Sequence, residues 1–165
     1  MALSAARAAE PPTGPAGWQD RAVTQHSLHL PDHTGFLVRR AQQVHLAVWA
    51  DEVGPGLTNI QFGVLNVLRS TGGASQRELC DTLGLDRSTV AGLVARLEGR
   101  GLVERGRAPA DRRRNVVRLT PAGADEHERL LPRATRVDEV LTRHLNHEEG
   151  VTLRRLLQRV LDSRG

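Results

Sequence analysis

Between Arg87 and Arg118 the chain carries nine arginines against three acids, Glu98, Glu104 and Asp111, an excess of six positive charges in 32 residues. The 165-residue chain as a whole has a formal net charge of only +4, so the block is a local feature. All 23 basic residues are Arg and none is Lys. A guanidinium offers a planar fork that grips a phosphate or a guanine edge through two parallel hydrogen bonds. Concentrated in one stretch, such groups point to a surface for a polyanion. Taken alone, the same charge is also what a solvated face carries, so the elements that position it decide.

Those elements are mostly helices. Aromatics are scarce (Trp18, Trp49, Phe36 and Phe62, with no Tyr), which disfavours a β-sandwich or barrel. A first helix is expected from near Asp32 or Thr34 to about Asp51, before the breaker Gly54-Pro55-Gly56. Thr58 to Gln61 and Ser75 to Glu78 are capping-box patterns, each opening a helix. The second of these is short and ends near Thr82, and a tight turn at Gly84-Leu85 leads into a helix over 87–99. In that helix Val90, Leu93, Val94 and Leu97 form one apolar stripe. Extended stretches at 102–107 and 115–119 flank an Arg-rich loop, which makes a β-hairpin with a basic tip. Thr120-Pro121 starts a fifth helix, with Pro132 expected to kink or interrupt it, and Asn146 with Glu149 starts a last one.

Two helices joined by a tight turn make a helix-turn-helix, whose second helix fits a major groove about 12 Å wide. The apolar stripe fixes which side faces the protein. Arg87, Ser88 and Thr89 in the first turn, with Arg96 further along, are left for DNA, as bases or phosphates. The hairpin after it carries Arg112, Arg113 and Arg114, which can reach a minor groove or the flanking phosphates. The fold class expected is mainly α with a small β-hairpin wing. Residues 1–30 form an arm expected to be mobile, 31–56 a first helix, 57–119 the winged helix-turn-helix, and 120–165 the C-terminal helices.

The run from Leu57 to Gly123, including GLDRSTVAGLVARLEGRGLVERGRAPADRRRNVVRLTPAG, resembles the MarR family of bacterial transcriptional regulators. The likeness extends over nearly all of the chain after residue 30, and ADRRRNVVRLT is its most specific part. The family often has Asp-Pro before the wing tip where this chain has Ala108-Pro109, while the Asp-Arg-Arg core is intact. The resemblance implies a homodimer joined through the first and last helices and bound to a double-stranded DNA operator. It also makes Arg113, then Arg112, the minor-groove arginine.

The stretch HTGFLVRRAQQVHLAVW, His33 to Trp49, is similar to members of the family that control aromatic-acid catabolism. Residue by residue, that similarity implies Arg39 as the anchor for a carboxylate, with His33 and His45 at the ring substituents. The chemistry is sound, because guanidinium binds carboxylate bidentately and imidazole bonds phenolic hydroxyls. The effector implied is a small aromatic carboxylate, a hydroxybenzoate, dihydroxybenzoate or hydroxycinnamate. Read from the residues alone, Arg39 and Arg40 serve equally well as intersubunit salt bridges, and the histidines as structural groups.

Other readings are weaker. His26, His29 and His33, or His144 with His147, suggest a metal sensor, but no cysteine or close carboxylate completes either set. Cys80, the only cysteine, lies beside Leu79 and Leu83 and reads as a small packed hydrophobe rather than a redox sensor. No phosphate loop, nucleophile elbow or acid–base pair points to an enzyme, and no cofactor is implied. A DNA binder without effector also fits. The start of the chain has no apolar signal core and no apolar run is long enough to span a membrane, so a cytoplasmic protein is expected.

Overall fold

In the computed structural model the described residues are 29–107 and 115–163. Nearly all of the expected arm, His26, and the wing tip with Ala108-Pro109, Arg112 and Arg113 lie outside them. The chain divides into two compact units, residues 1–38 and 39–165. In the first, the described residues form one 3-10 turn, Leu30–Asp32, and enter helix α1 (Thr34–Glu52). His29 Nδ1 lies 2.9 Å from Asp32 Oδ2, so one histidine of the set read as lacking a close carboxylate does have one beside it.

The second unit holds the rest of α1, then α2 (Asn59–Thr71), α3 (Gln76–Leu83), α4 (Arg87–Gly99), β1 (Val103–Arg107), β2 (Asn115–Leu119), α5 (Pro121–Thr142) and α6 (His147–Asp162). The helix starts are set locally. Thr58 Oγ1 accepts from the Gln61 amide and the Gln61 side chain accepts from the Thr58 amide, a closed capping box. Ser75 with Glu78 and Asn146 with Glu149 repeat the device. Between α3 and α4, Gly84 takes φ +63°, a left-handed turn that a side chain would strain. Its neighbour Leu85 donates back to the Cys80 carbonyl at 3.1 Å.

β1 and β2 pair antiparallel with Val103 opposite Leu119 and Arg107 opposite Asn115. Ala74, just before α3, adds a two-bond bridge to Val117. The hairpin is thereby tied to the helix-turn-helix at its base. The core beneath consists of Val64, Leu65 and Leu68 of α2, Leu79 of α3, and the α4 stripe, closed by Leu130 of α5. At the end of α1 the Trp49 indole N–H donates 2.8 Å to the Leu57 carbonyl, so its one polar atom is satisfied inside the core.

Of the kink or interruption expected at Pro132, the interruption does not occur. α5 runs unbroken from Pro121 to Thr142 with Pro132 inside it. Proline removes the hydrogen bond to the carbonyl four residues back, here Glu128. Both residues are exposed, while Gly123, His127, Leu130 and Val137 hold the opposite side against the core.

α6 is built differently. Its only buried residue is Gly150, and Leu153, Leu156, Leu157, Val160 and Leu161 stand exposed at helical spacing. An apolar stripe of this regularity is the mark of a helix with a packing partner. No helix among the described residues is long and apolar enough to cross a membrane.

Candidate nucleic-acid interface

Val90, Leu93, Val94 and Leu97 bury one side of α4, which turns the opposite side outward. Ser88, Gly92 and Ala95 follow one another along that outer side at helical spacing, Ser88 and Ala95 exposed. Arg87 and Arg96 flank it and are exposed as well. The outer surface of α4 is therefore a small-residue ridge between two guanidinium groups. A ridge of this kind lets the backbone approach the floor of a groove, and alanine methyls can touch thymine methyls.

Asp86 caps α4. Its Oδ1 accepts from the amides of Ser88 and Thr89, at 2.9 and 3.0 Å, and from the Ser88 hydroxyl. Its Oδ2 accepts from the Thr89 hydroxyl. The Ser88 hydroxyl above all, then that of Thr89, holds the Asp86 carboxyl well below the usual carboxylate range. The helix thus begins with a fixed negative charge whose donors are two of the residues expected to meet DNA.

Arg87 also belongs to a cleft of about 890 Å³ between α3, the first turn of α4 and the hairpin. Arg77, Arg105 and Arg107 line it with Arg87, together with Gln76, and none of its lining residues among the described ones is acidic. Arg105 is held 3.1 Å from Glu98, and Arg77 lies 3.9 Å from Asp81. Arg77 and Gln76 were not singled out by the sequence. Only α3's register at the Ser75 cap would have placed them beside the wing. Cys80, half-buried against the core, lines the same cleft.

The residues matched to an effector are on α1 or just before it. Arg39 is exposed, and no described carboxylate pairs with it. His45 is half-buried and meets the Trp49 ring edge-on, centroids 6.5 Å apart. The two are six positions apart, about 9 Å along the axis and roughly 120° around it, so they do not share one face of α1. His33, in the first unit, accepts from the Phe36 amide at 3.3 Å through Nδ1. Among the described residues no group of three or more His, Cys, Asp or Glu is arranged to hold a metal ion.

The MarR family model matches residues 56–114. The HTH-type transcriptional repressor NicR of Pseudomonas putida is 38% identical over 135 residues, 81% of this chain and 85% of NicR. The PcaV transcriptional regulator of Streptomyces coelicolor, in complex with its natural ligand, superposes with a TM-score of 0.79 at 39% identity, covering 84% of this chain and 99% of PcaV. Bordetella bronchiseptica BpsR, whose DNA binding is regulated by 6-hydroxynicotinic acid, superposes with a TM-score of 0.77 at 34% identity, over 82% of this chain and 98% of BpsR.

Proposed function

The chain belongs to the MarR family of transcriptional regulators, and from that premise we propose that it is a repressor released from a palindromic operator by an aromatic carboxylic acid such as a hydroxybenzoate. Its dimer sets two α4 helices and two wings on double-stranded DNA. Arg87, Ser88, Thr89 and Arg96 meet the major groove, and Arg112 and Arg113 reach beside it.

Arg39 carries the effector half of this reading. It is a guanidinium outside the DNA-binding elements, with no acid among the described residues to neutralise it. A planar acid of the size of a benzoate satisfies such a group bidentately. BpsR, similar to this chain over most of its length, answers to an acid of that chemical class. His45 and His33 are the candidates for contacts to ring substituents.

A ligand shifts the dimer between two states only by its differential affinity for them, so effector and operator weaken each other reciprocally. Calorimetry with a panel of hydroxybenzoates, paired with operator-release titrations, tests this. Arg39→Ala is expected to keep operator affinity and lose the response. A variant that binds and responds to the acid like the parent removes Arg39 from the site. One that loses DNA binding with or without ligand makes Arg39 a structural ion pair.

A further inference from the structure

A hydroxyl has one proton to give and two lone pairs to offer. In the first turn of α4 both side-chain hydroxyls have already given theirs. Ser88 Oγ donates to Asp86 Oδ1 and Thr89 Oγ1 donates to Asp86 Oδ2. The acceptor is an ionised carboxylate, the strongest partner within reach, and such charge-assisted bonds are short and hard to displace. The side of each oxygen that faces away from Asp86 therefore presents lone pairs only.

We propose that Asp86 is a specificity-positioning residue, which turns Ser88 and Thr89 into acceptors that select amino-bearing bases, adenine or cytosine, on the strand they face. In the major groove adenine offers N6–H₂ and cytosine N4–H₂ as donors, whereas thymine O4 and guanine O6 are acceptors. An acceptor-only oxygen bonds the first pair and repels the second. Phosphate contact through these hydroxyls is closed by the same logic, because a phosphate oxygen needs a donor, and the Asp86 charge stands directly behind. Donor chemistry in this turn is left to Arg87, so the helix start reads amino bases with its hydroxyls and keto bases with its guanidinium.

The two carboxylate oxygens have separate duties, which supplies the test. Oδ1 takes both amides and the Ser88 hydroxyl, while Oδ2 takes only the Thr89 hydroxyl. In Asp86→Asn the amide oxygen keeps the cap, since Asn is as good an N-cap as Asp. The NH₂ group replaces Oδ2 and donates to Thr89, which frees the Thr89 proton to point outward. Asn therefore reverses Thr89 and leaves Ser88 as it was.

This inference rests on the reading that the first turn of α4 meets base edges, and the experiment separates the two. Binding sites are selected from a randomised operator library with the full-length dimer of the parent, D86N, S88A, T89V and R87A, each checked for parent-like thermal melting. Parent sites are expected to favour adenine or cytosine by about tenfold at the positions that S88A and T89V relax. D86N is expected to turn the Thr89 position over to guanine or thymine and to keep the Ser88 position. If S88A or T89V changes the site while D86N selects the parent sequence throughout, Asp86 is only a cap and the proposal fails. If R87A, S88A and T89V all select the parent site, the first turn of α4 does not read bases, and both the reading and the proposal fall.

Discussion

The rings of Phe62, on α2, and His127, on α5, lie face to face with centroids 5.2 Å apart and planes 2° from parallel. His127 is buried, its Nε2 lies 3.0 Å from Asn66 Oδ1, and its Nδ1 has no hydrogen-bond partner. Burial, then the nearby Arg69 charge, pushes the imidazole below its ordinary value of 6.5. α2 packs beneath both helices of the helix-turn-helix and α5 leads towards α6, so this contact joins the DNA-binding part to the C-terminal helices.

A neutral imidazole here makes stability depend on pH. Because the folded pKa is lowered, the unfolded chain binds the extra proton first as pH falls below about 6.5. Stability from this group is complete above the unfolded value and is lost as pH falls towards the folded one. His127→Phe keeps the stack and removes the titration. Urea melts between pH 5 and 8 are expected to give a flatter profile for the variant than for the parent, and equal slopes would remove His127 as the source.

Gly123 is a packing site. A Cβ there would lie 1.9 Å from the Leu102 carbonyl oxygen, a backbone atom that cannot rotate away. The same carbonyl accepts from the Thr120 amide, and the Thr120 hydroxyl bonds the Gly101 carbonyl, so the first turn of α5 is clamped to the start of β1. Gly123→Ala is expected to cost about 2–3 kcal/mol through overpacking, although Ala is the better helix former. A thermal melt matching the parent would show that this junction yields freely.

Gly92 presents the reverse case. A Cβ there meets only the tip of Arg96, at 3.7 Å, so the fold leaves room for a side chain. Glycine inside a helix nevertheless costs about 1 kcal/mol relative to Ala, which suggests that the outer surface of α4 must approach something closely. Gly92→Leu is expected to raise the melting temperature and to lower operator affinity at least tenfold. Gel-shift and melting measurements on one preparation would show whether stability and binding part in this way.

What was legible in the sequence was mainly local. The capping boxes at Thr58, Ser75 and Asn146 each need only four residues, and each helix starts where its box places it. The stripe Val90, Leu93, Val94, Leu97 gave the orientation of α4, because periodicity alone determines which side is buried. That α5 continues through Pro132 is not legible in chain order, because the cost of a helix proline depends on whether the freed carbonyl can reach water. The meeting of Arg77 with Arg105 and Arg107 was hidden for a related reason. About 30 residues separate them, and the hairpin with its Ala74–Val117 bridge brings them together. The hydroxyl polarity at Asp86 needed rotamers, which no pattern of residue types supplies.

Helix and wing are expected to contribute differently to DNA binding. Arg87→Ala should change sequence preference, at about 1–3 kcal/mol for a lost bidentate base contact. Arg113→Ala should weaken binding to every site if, as proposed above, the wing meets phosphates and a narrow groove. The operator should show two half-sites about 10 bp apart, centre to centre, with affinity falling steeply as salt rises. Site selection and salt titration of both variants test this, and a salt-insensitive complex would contradict it.

The exposed stripe of α6 carries the last prediction. Leu153, Leu156, Leu157, Val160 and Leu161 are each 40–70% exposed in a single chain, five large apolar residues on one side of one helix. Burying a leucine contributes about 1.5–3 kcal/mol, so a second copy covering this stripe would supply a major part of the dimer's stability. Placing a charge at its centre removes one such contribution and leaves a carboxylate to be desolvated in its place. Leu157→Glu is therefore expected to produce monomer at micromolar concentration, seen by sedimentation. Linkage adds a second signature, because a dimer's melting temperature rises with protein concentration and a monomer's does not. The parent should show that rise and Leu157→Glu should lose it, together with tight operator binding, since two half-sites need two linked α4 helices. A variant that remains dimeric with parent-like affinity would show that the α6 stripe is covered by something other than a second copy.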